Sequence, residues 1–257
     1  MACEVAHVDT PAQALVHLAS DGVAIIDDVM DAEQIRLLRH LLDAEIARDR
    51  KDGVLFHDGP DRNDRLLDIT ARRKEFADLV EHPLTAAIAG GWLKPDWRLS
   101  SFGANVTTPG TGARFVHADQ CYVPHPWPDY PLALNLIWVL DDFTSERGAT
   151  HFLPGSHRKK RGPYPGESCE GTMPILCQAG SVIAMDGKVW HHTGVNSTRD
   201  QTRAALLMYM VNWFILPQSD WPSLFGPESR AALSPRMREL LGFGEKASMR
   251  LEQFDGA

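Results

Sequence analysis

The chain has 257 residues, 44% hydrophobic and 23% charged, enough to bury a sizeable core and ordinary for a globular protein. Its 26 Lys and Arg against 34 Asp and Glu leave a formal charge of −8, which argues against the basic footprint of a nucleic-acid binder. No apolar stretch approaches a membrane span, and the opening "MACEVAHVDTPAQALVHLASDG" lacks the basic start and apolar run of a secretory signal.

Cys3, Cys121, Cys169 and Cys177 form no CxxC pair and no dense disulfide framework. A reducing, cytoplasmic setting is therefore expected, with no membrane or nucleic-acid partner. The basic run Arg158–Arg161 is short and reads as a solvated loop.

In chain order, "DGVAIID" (21–27) predicts a short buried strand after a turn. Next, Asp31 is a candidate N-cap with Gln34 as its capping-box partner, and Ile35, Leu38, Leu42 and Ile46 recur at helical spacing. "HPLTAAIAGGWL" predicts a second helix ended by Gly90 and Gly91.

From Trp97 onward the texture changes. "WRLSSFGANV", "ARFVHAD", "LALNLIWVL", "GATHFLPGS", "GSVIAMDG" and "RAALLMYMVNWFI" are short β-forming runs separated by Gly and Pro, the pattern of an antiparallel sandwich or barrel. "CYVPHPWPDYP" (121–131) is too proline-rich for a central strand, and helical patterning returns in "SPRMRELLGFG".

A single domain is expected over 1–257. Residues 1–95 form a mostly helical flank with one early strand, 96–216 the β-core and 217–257 a helical tail.

"FVHADQ" puts His117 and Asp119 two apart, on one face if the segment is a strand. Alone, His-x-Asp reads as a buried histidine beside a loop aspartate. With a distant second histidine the set becomes two imidazoles and one carboxylate, which leaves three coordination positions open as in non-haem Fe(II) oxygenases. A structural zinc site would use four protein ligands, often sulfur. Downstream, Arg203 stands at the start of a β-run, where it can be a surface residue or a fork gripping a carboxylate.

"HADQCY", "ALNLIWVLDDFTSERGATHFLPGSH" and "WHHTGVNSTRDQTR", with the opening "LASDGVAIIDDVMDAEQIRLL", resemble the phytanoyl-CoA hydroxylase-like family of Fe(II)/2-oxoglutarate dioxygenases. The likeness runs from Asp21 to about Trp213. It implies a mainly β fold with flanking helices, built on a double-stranded β-helix (jelly-roll, cupin-like) core. It also implies Fe(II), with 2-oxoglutarate and O2 as co-substrates, a small-molecule substrate and a monomer or homodimer.

By the same resemblance His117 and Asp119 are the first two metal ligands. Arg203 binds the distal carboxylate of 2-oxoglutarate, Thr150 contacts it, and Asn135 and Tyr122 line the pocket. Trp138 reads as core, and "PGSH" as a turn shaping the site. Many relatives carry glutamine where this chain has Arg114, which can hold the oxo-acid end of 2-oxoglutarate or a substrate carboxylate, or turn outward.

Halogenases of the superfamily have a small residue in place of Asp119, so a carboxylate there points to hydroxylation, desaturation or ring formation. Trp127, Trp190 and Trp213 are expected either at the mouth of the barrel, around an apolar metabolite of secondary metabolism, or in the core. A metal enzyme without 2-oxoglutarate turnover and a non-catalytic binding protein are the competing readings.

The doublet His191–His192 leaves the third ligand to be chosen, because neighbours on a strand face opposite ways. The family pattern W-H-x-x-G-x-N selects His191 through Trp190, Gly194 and Asn196. The common spacing of eleven to the arginine selects His192. The turn in "NSTRDQTR" can absorb one extra residue, whereas a slip at Trp190 would turn its side chain to the wrong face. His191 is therefore the expected ligand and His192 the fallback.

Overall fold

A computed structural model describes residues 4–58, 63–112, 115–168 and 170–243. The elements in chain order are β1 (His7–Val8), α1 (Pro11–Ser20), β2 (Val23–Ile26), α2 (Ala32–Lys51), β3 (Phe56–Asp58), β4 (Asn63–Leu66), α3 (Lys74–Val80), α4 (Pro83–Leu93) and β5 (Arg98–Thr107). They continue as β6 (Ala133–Val139), β7 (Thr150–Phe152), β8 (Met173–Pro174), β9 (Val182–Asp186), β10 (His191–Thr193), β11 (Arg203–Val211), α5 (Trp221–Leu224), α6 (Pro227–Ala232) and α7 (Pro235–Leu240).

Eight strands form a large sheet in the order β1-β2-β9-β6-β11-β5-β4-β3, and β10-β7-β8 form a small one. Apart from the parallel β1–β2 pair, the neighbours run antiparallel. Together they make the jelly-roll expected of the fold class.

Both faces of the large sheet are covered, which explains why β6 reads as an apolar run broken only by Asn135 rather than as an alternating one. Leu134, Leu136 and Trp138 of β6, with Leu206, Met208 and Met210 of β11, pack against Leu38, Leu42, Phe76 and Ile88 of the helices. The opposite face carries Ile137, Val139 and Ala205 against Phe152 of the small sheet. Since side chains alternate strictly along a strand, Asn135, Arg203 and Tyr209 share this inner face. Polar residues there interrupt an otherwise apolar surface, Asn135 and Arg203 lining one cavity and Asn135 and Tyr209 the next.

The capping box at α2 forms as expected, Asp31 accepting from the Gln34 amide while the Gln34 side chain accepts from the Asp31 amide. Trp138 is fully buried. Several expectations are corrected. Among the described residues the flank holds four strands rather than one, because β1, β3 and β4 are two to four residues long and carry too little period to be seen.

Helix α4 runs through Gly90 and Gly91 to Leu93. A Cβ on Gly91 would lie 2.5 Å from Leu15 Cδ1, so this glycine serves the close crossing of α1 over α4, not a helix stop. "ARFVHAD" is not a strand: His117 makes one isolated bridge and Asp119 lies in the turn after it.

Candidate active site

His117 and His191 face each other across an antiparallel bridge, each amide donating to the other's carbonyl at 3.0 and 2.8 Å. Such a hydrogen-bonded pair projects both side chains to the same face, and the ring centroids stand 4.3 Å apart. The turn beyond His117 swings Asp119 between them, its Oδ1 lying 3.7 Å from Nε2 of each histidine. One ligand atom from each of the three residues lies within 4.8 Å of the others. An ion bound about 2.0–2.2 Å from each needs only a small closure of this triangle.

The surrounding contacts orient the donors. His191 Nδ1 lies 3.0 Å from the Val189 carbonyl, so a proton on Nδ1 leaves the Nε2 lone pair directed at the cluster. Asn135 Nδ2 donates to Asp119 Oδ2 at 2.9 Å, and the Tyr209 hydroxyl donates to the Asp119 carbonyl at 3.1 Å.

Burial works to raise the Asp119 carboxyl, but the His191 and His117 imidazoles and the Asn135 amide outweigh it and hold it below the usual range. Burial, reinforced by His191, lowers His117 to about 4. Both shifts favour the deprotonated donors that a cation requires.

His192 points the other way. It pairs in register with His151, stacks on that ring at 5.0 Å and places Nε2 3.2 Å from Thr172 Oγ1. Trp190, just before the doublet, is fixed by its amide donating to Ser156 Oγ of "PGSH" at 2.9 Å. The longer link to Arg203 is taken up by the 196–201 turn. There Asn196 Nδ2 donates to the Gln201 carbonyl at 2.7 Å, and Asn196 Oδ1 accepts from the Thr198 amide at 3.1 Å.

The three residues line a cavity of ≈ 190 Å³ together with Arg65, Asn105, Asn135, Thr150 and Arg203. Arg203 is 1% exposed; its Nη2 donates to the Gly148 carbonyl at 2.7 Å and its guanidinium lies 4.5 Å from the Phe143 ring centre. Burial pushes it down to about 10, with Asp141 opposing. Gly148 reaches this place with φ +74, and a Cβ on it would lie 2.5 Å from the Gly194 carbonyl, which accounts for both motif glycines.

Arg203 Nε, Asn105 Oδ1 and Asn135 Oδ1 are buried without a partner. Buried polar atoms are normally satisfied, so three orphans around one cavity fit a carboxylate-bearing, hydrogen-bonding occupant. Of the other predicted residues, Tyr122 touches the site only through its hydroxyl, 3.1 Å from that of Tyr209. Arg114 lies outside the described residues.

A second cavity of ≈ 350 Å³ shares Arg65, Asp119, Asn135 and Leu207 with the first. It opens over Ser101 and Gly103 toward Asp68, Gln218, Ser219 and Asp220. Trp127, Trp190 and Trp213, which the sequence left open between the mouth and the core, line neither cavity. Trp127 and Trp190 pack with Ala118, and Trp213 packs edge-on to Phe214. The chamber's apolar wall is instead made by Leu66, Leu67, Phe102 and Leu207.

Arg65 and Asn105 are absent from the sequence-based list. The signal for Asn105 was the set Ser101, Gly103, Asn105 alternating with Phe102, Ala104, Val106 along β5.

A jelly-roll with two imidazoles, a carboxylate and a buried arginine at one end has the features of the Fe(II)- and 2-oxoglutarate-dependent oxygenase class. The phytanoyl-CoA dioxygenase (PhyH) family profile matches residues 18–205, and the chain belongs to this family, with Fe(II) as cofactor and 2-oxoglutarate and O2 as co-substrates.

Among its relatives, Dioxygenase af480 of Aspergillus fumigatus is 31% identical over 89% of this chain and 75% of its own length. Dioxygenase trt7 of Aspergillus terreus is 26% identical over 82% of this chain and 76% of its own.

Two solved structures share the fold. The non-heme alpha-ketoglutarate-dependent epimerase SnoN from nogalamycin biosynthesis has a TM-score of 0.64 at 22% identity, over 84% of this chain and 88% of its own. HygX from Streptomyces hygroscopicus with nickel and 2-oxoglutarate bound has a TM-score of 0.65 at 17% identity, over 80% and 88%.

Proposed function

We propose that the protein is a dioxygenase that hydroxylates a small-molecule metabolite, with desaturation or ring formation as variants of the same chemistry. His117, Asp119 and His191 hold the iron. Arg203, assisted by Thr150, grips the distal carboxylate of 2-oxoglutarate, and Asn105 and Asn135 hydrogen-bond within the same cavity. The observation that carries this reading is the triangle of donor atoms within 4.8 Å, with a buried, under-satisfied arginine in the same cavity.

When bound, the iron with 2-oxoglutarate and O2 supplies the oxidising equivalent, releasing succinate and CO2. The protein's part is orientation and exclusion of side reactions. Asn135 holds Asp119 through one oxygen and leaves the other to the ion. Arg203 sets the direction from which the co-substrate enters.

The ≈ 350 Å³ chamber beside Asp119 receives the substrate; Leu66, Leu67, Phe102 and Leu207 give it apolar walls and its Ser, Gln and Asp rim offers hydrogen bonds, which suits a molecule with both apolar and polar parts. The fungal dioxygenases among the relatives and the neighbour from nogalamycin biosynthesis support a place in secondary metabolism. The protein works as a cytoplasmic monomer or homodimer with neither nucleic acid nor membrane as partner. No helix among the described residues is long and apolar enough to cross a bilayer.

The test is succinate release from 2-oxoglutarate under Fe(II) and O2, followed across a panel of small metabolites by mass spectrometry. A product heavier by one oxygen supports hydroxylation. Stimulated succinate release with a product lighter by two hydrogens would replace it by desaturation or ring formation.

A further inference from the structure

We propose that Arg39, far from the metal on helix α2, is a positioning residue that aims Arg203 at the co-substrate by way of Asp141. The inference rests on the reading of Arg203 as the clamp for the distal carboxylate.

The guanidinium of Arg39 is used on every side. Its Nε donates to both Asp43 oxygens at 3.2 and 3.1 Å, Nη1 meets Asp141 Oδ2, and Nη2 donates to Thr202 Oγ1 at 3.2 Å. Asp141 Oδ2 also accepts from the Ala204 amide at 2.9 Å, and the Asp141 amide donates to the Ala204 carbonyl at 3.3 Å. Thr202 and Ala204 flank Arg203. One side chain from the helical layer therefore holds the Thr202 hydroxyl directly and the Ala204 backbone through Asp141, one on each side of the clamp.

Arg203 depends on such support. Among the described residues its guanidinium donates to the Gly148 carbonyl, its Nε has no partner, and no carboxylate pairs with it. Asp141 is the acid that most favours its charged form. Left alone, that carboxylate would compete with an incoming dicarboxylate for the same cation. Paired with Arg39, it serves as a backbone anchor and leaves the clamp to its ligand.

The test compares 2-oxoglutarate with 2-oxovalerate, which has the same chelating end and no distal carboxylate. Both are titrated anaerobically into Fe(II)-loaded protein. Arg39→Met should weaken 2-oxoglutarate by about tenfold, as expected for a mis-aimed rather than missing group. Its affinity for 2-oxovalerate and for Fe(II) should stay at the wild-type level. Arg39→Lys keeps a cation on Asp141 but cannot also reach Thr202, so a smaller loss confined to 2-oxoglutarate is expected. This variant decides the matter by the same comparison if the methionine variant does not fold.

Equal weakening of both acids, or unchanged 2-oxoglutarate affinity, overturns the inference while leaving the clamp in place. A wild-type protein that does not prefer 2-oxoglutarate over 2-oxovalerate overturns the clamp itself, and the inference with it.

Discussion

Replacing Arg203 with methionine should separate stability from co-substrate binding. The guanidinium is 1% exposed, and its fall from 12.5 to about 10 corresponds to about 3 kcal/mol against the charged form. What holds it is one hydrogen bond to the Gly148 carbonyl and the Phe143 ring. A hydrogen bond from a charged donor contributes about 1.5–3 kcal/mol.

The two terms nearly cancel, so methionine, similar in length and uncharged, should leave metal-free stability within about 1 kcal/mol of wild type. Binding of 2-oxoglutarate should suffer far more. Losing one partner of a buried charge pair costs about 2–5 kcal/mol, or roughly 30- to 4,000-fold in affinity. Urea unfolding and anaerobic titration of Fe(II)-loaded protein measure the two quantities on one preparation. A variant that loses more than about 3 kcal/mol of stability yet binds 2-oxoglutarate normally would refute the reasoning, because Arg203 would then be a structural residue.

Other expectations are simpler. Gly148→Ala puts a Cβ 2.5 Å from the Gly194 carbonyl at φ +74, so it should cost about 2–4 kcal/mol in urea unfolding and weaken 2-oxoglutarate by displacing the carbonyl that Arg203 uses. The Cys177 thiol is pushed up to about 12 by burial, whereas Cys121 is exposed. Peptide mapping after alkylation at pH 8 should find Cys121 modified and Cys177 protected until the protein unfolds. His192→Ala removes a side chain stacked on His151 and hydrogen-bonded near Thr172, so it should retain Fe(II) binding at near wild-type affinity by equilibrium dialysis.

Much of this was legible in the residues where one short-range rule dominates. Asp31 and Gln34 announce the start of α2 because a capping box needs only residues three apart. The β-runs of the core could be read because their length and composition leave few alternatives.

The failures share a cause, which is information carried by distant partners. Gly91 looks like a helix stop until Leu15 is seen against it. The His-x-Asp pair looks like a strand, but a single bridge to His191 and a turn bring the side chains together. The tryptophans could be placed at the mouth or in the core, and only packing with Ala118 or Phe214 decides between the two. Arg39 did not stand out in the sequence at all, because its reach to Asp141, 102 residues on, leaves no local signal.

The central claim is that His117, Asp119 and His191 form the iron site, with 2-oxoglutarate bound beside it. Anaerobic addition of Fe(II) and then 2-oxoglutarate tests it most directly, through the weak visible charge-transfer band of the chelate. The band should appear with wild-type protein and with His192→Ala, and vanish with His191→Ala. Folded wild-type protein without the band would contradict the account, as would a band that survives in His191→Ala and is lost in His192→Ala.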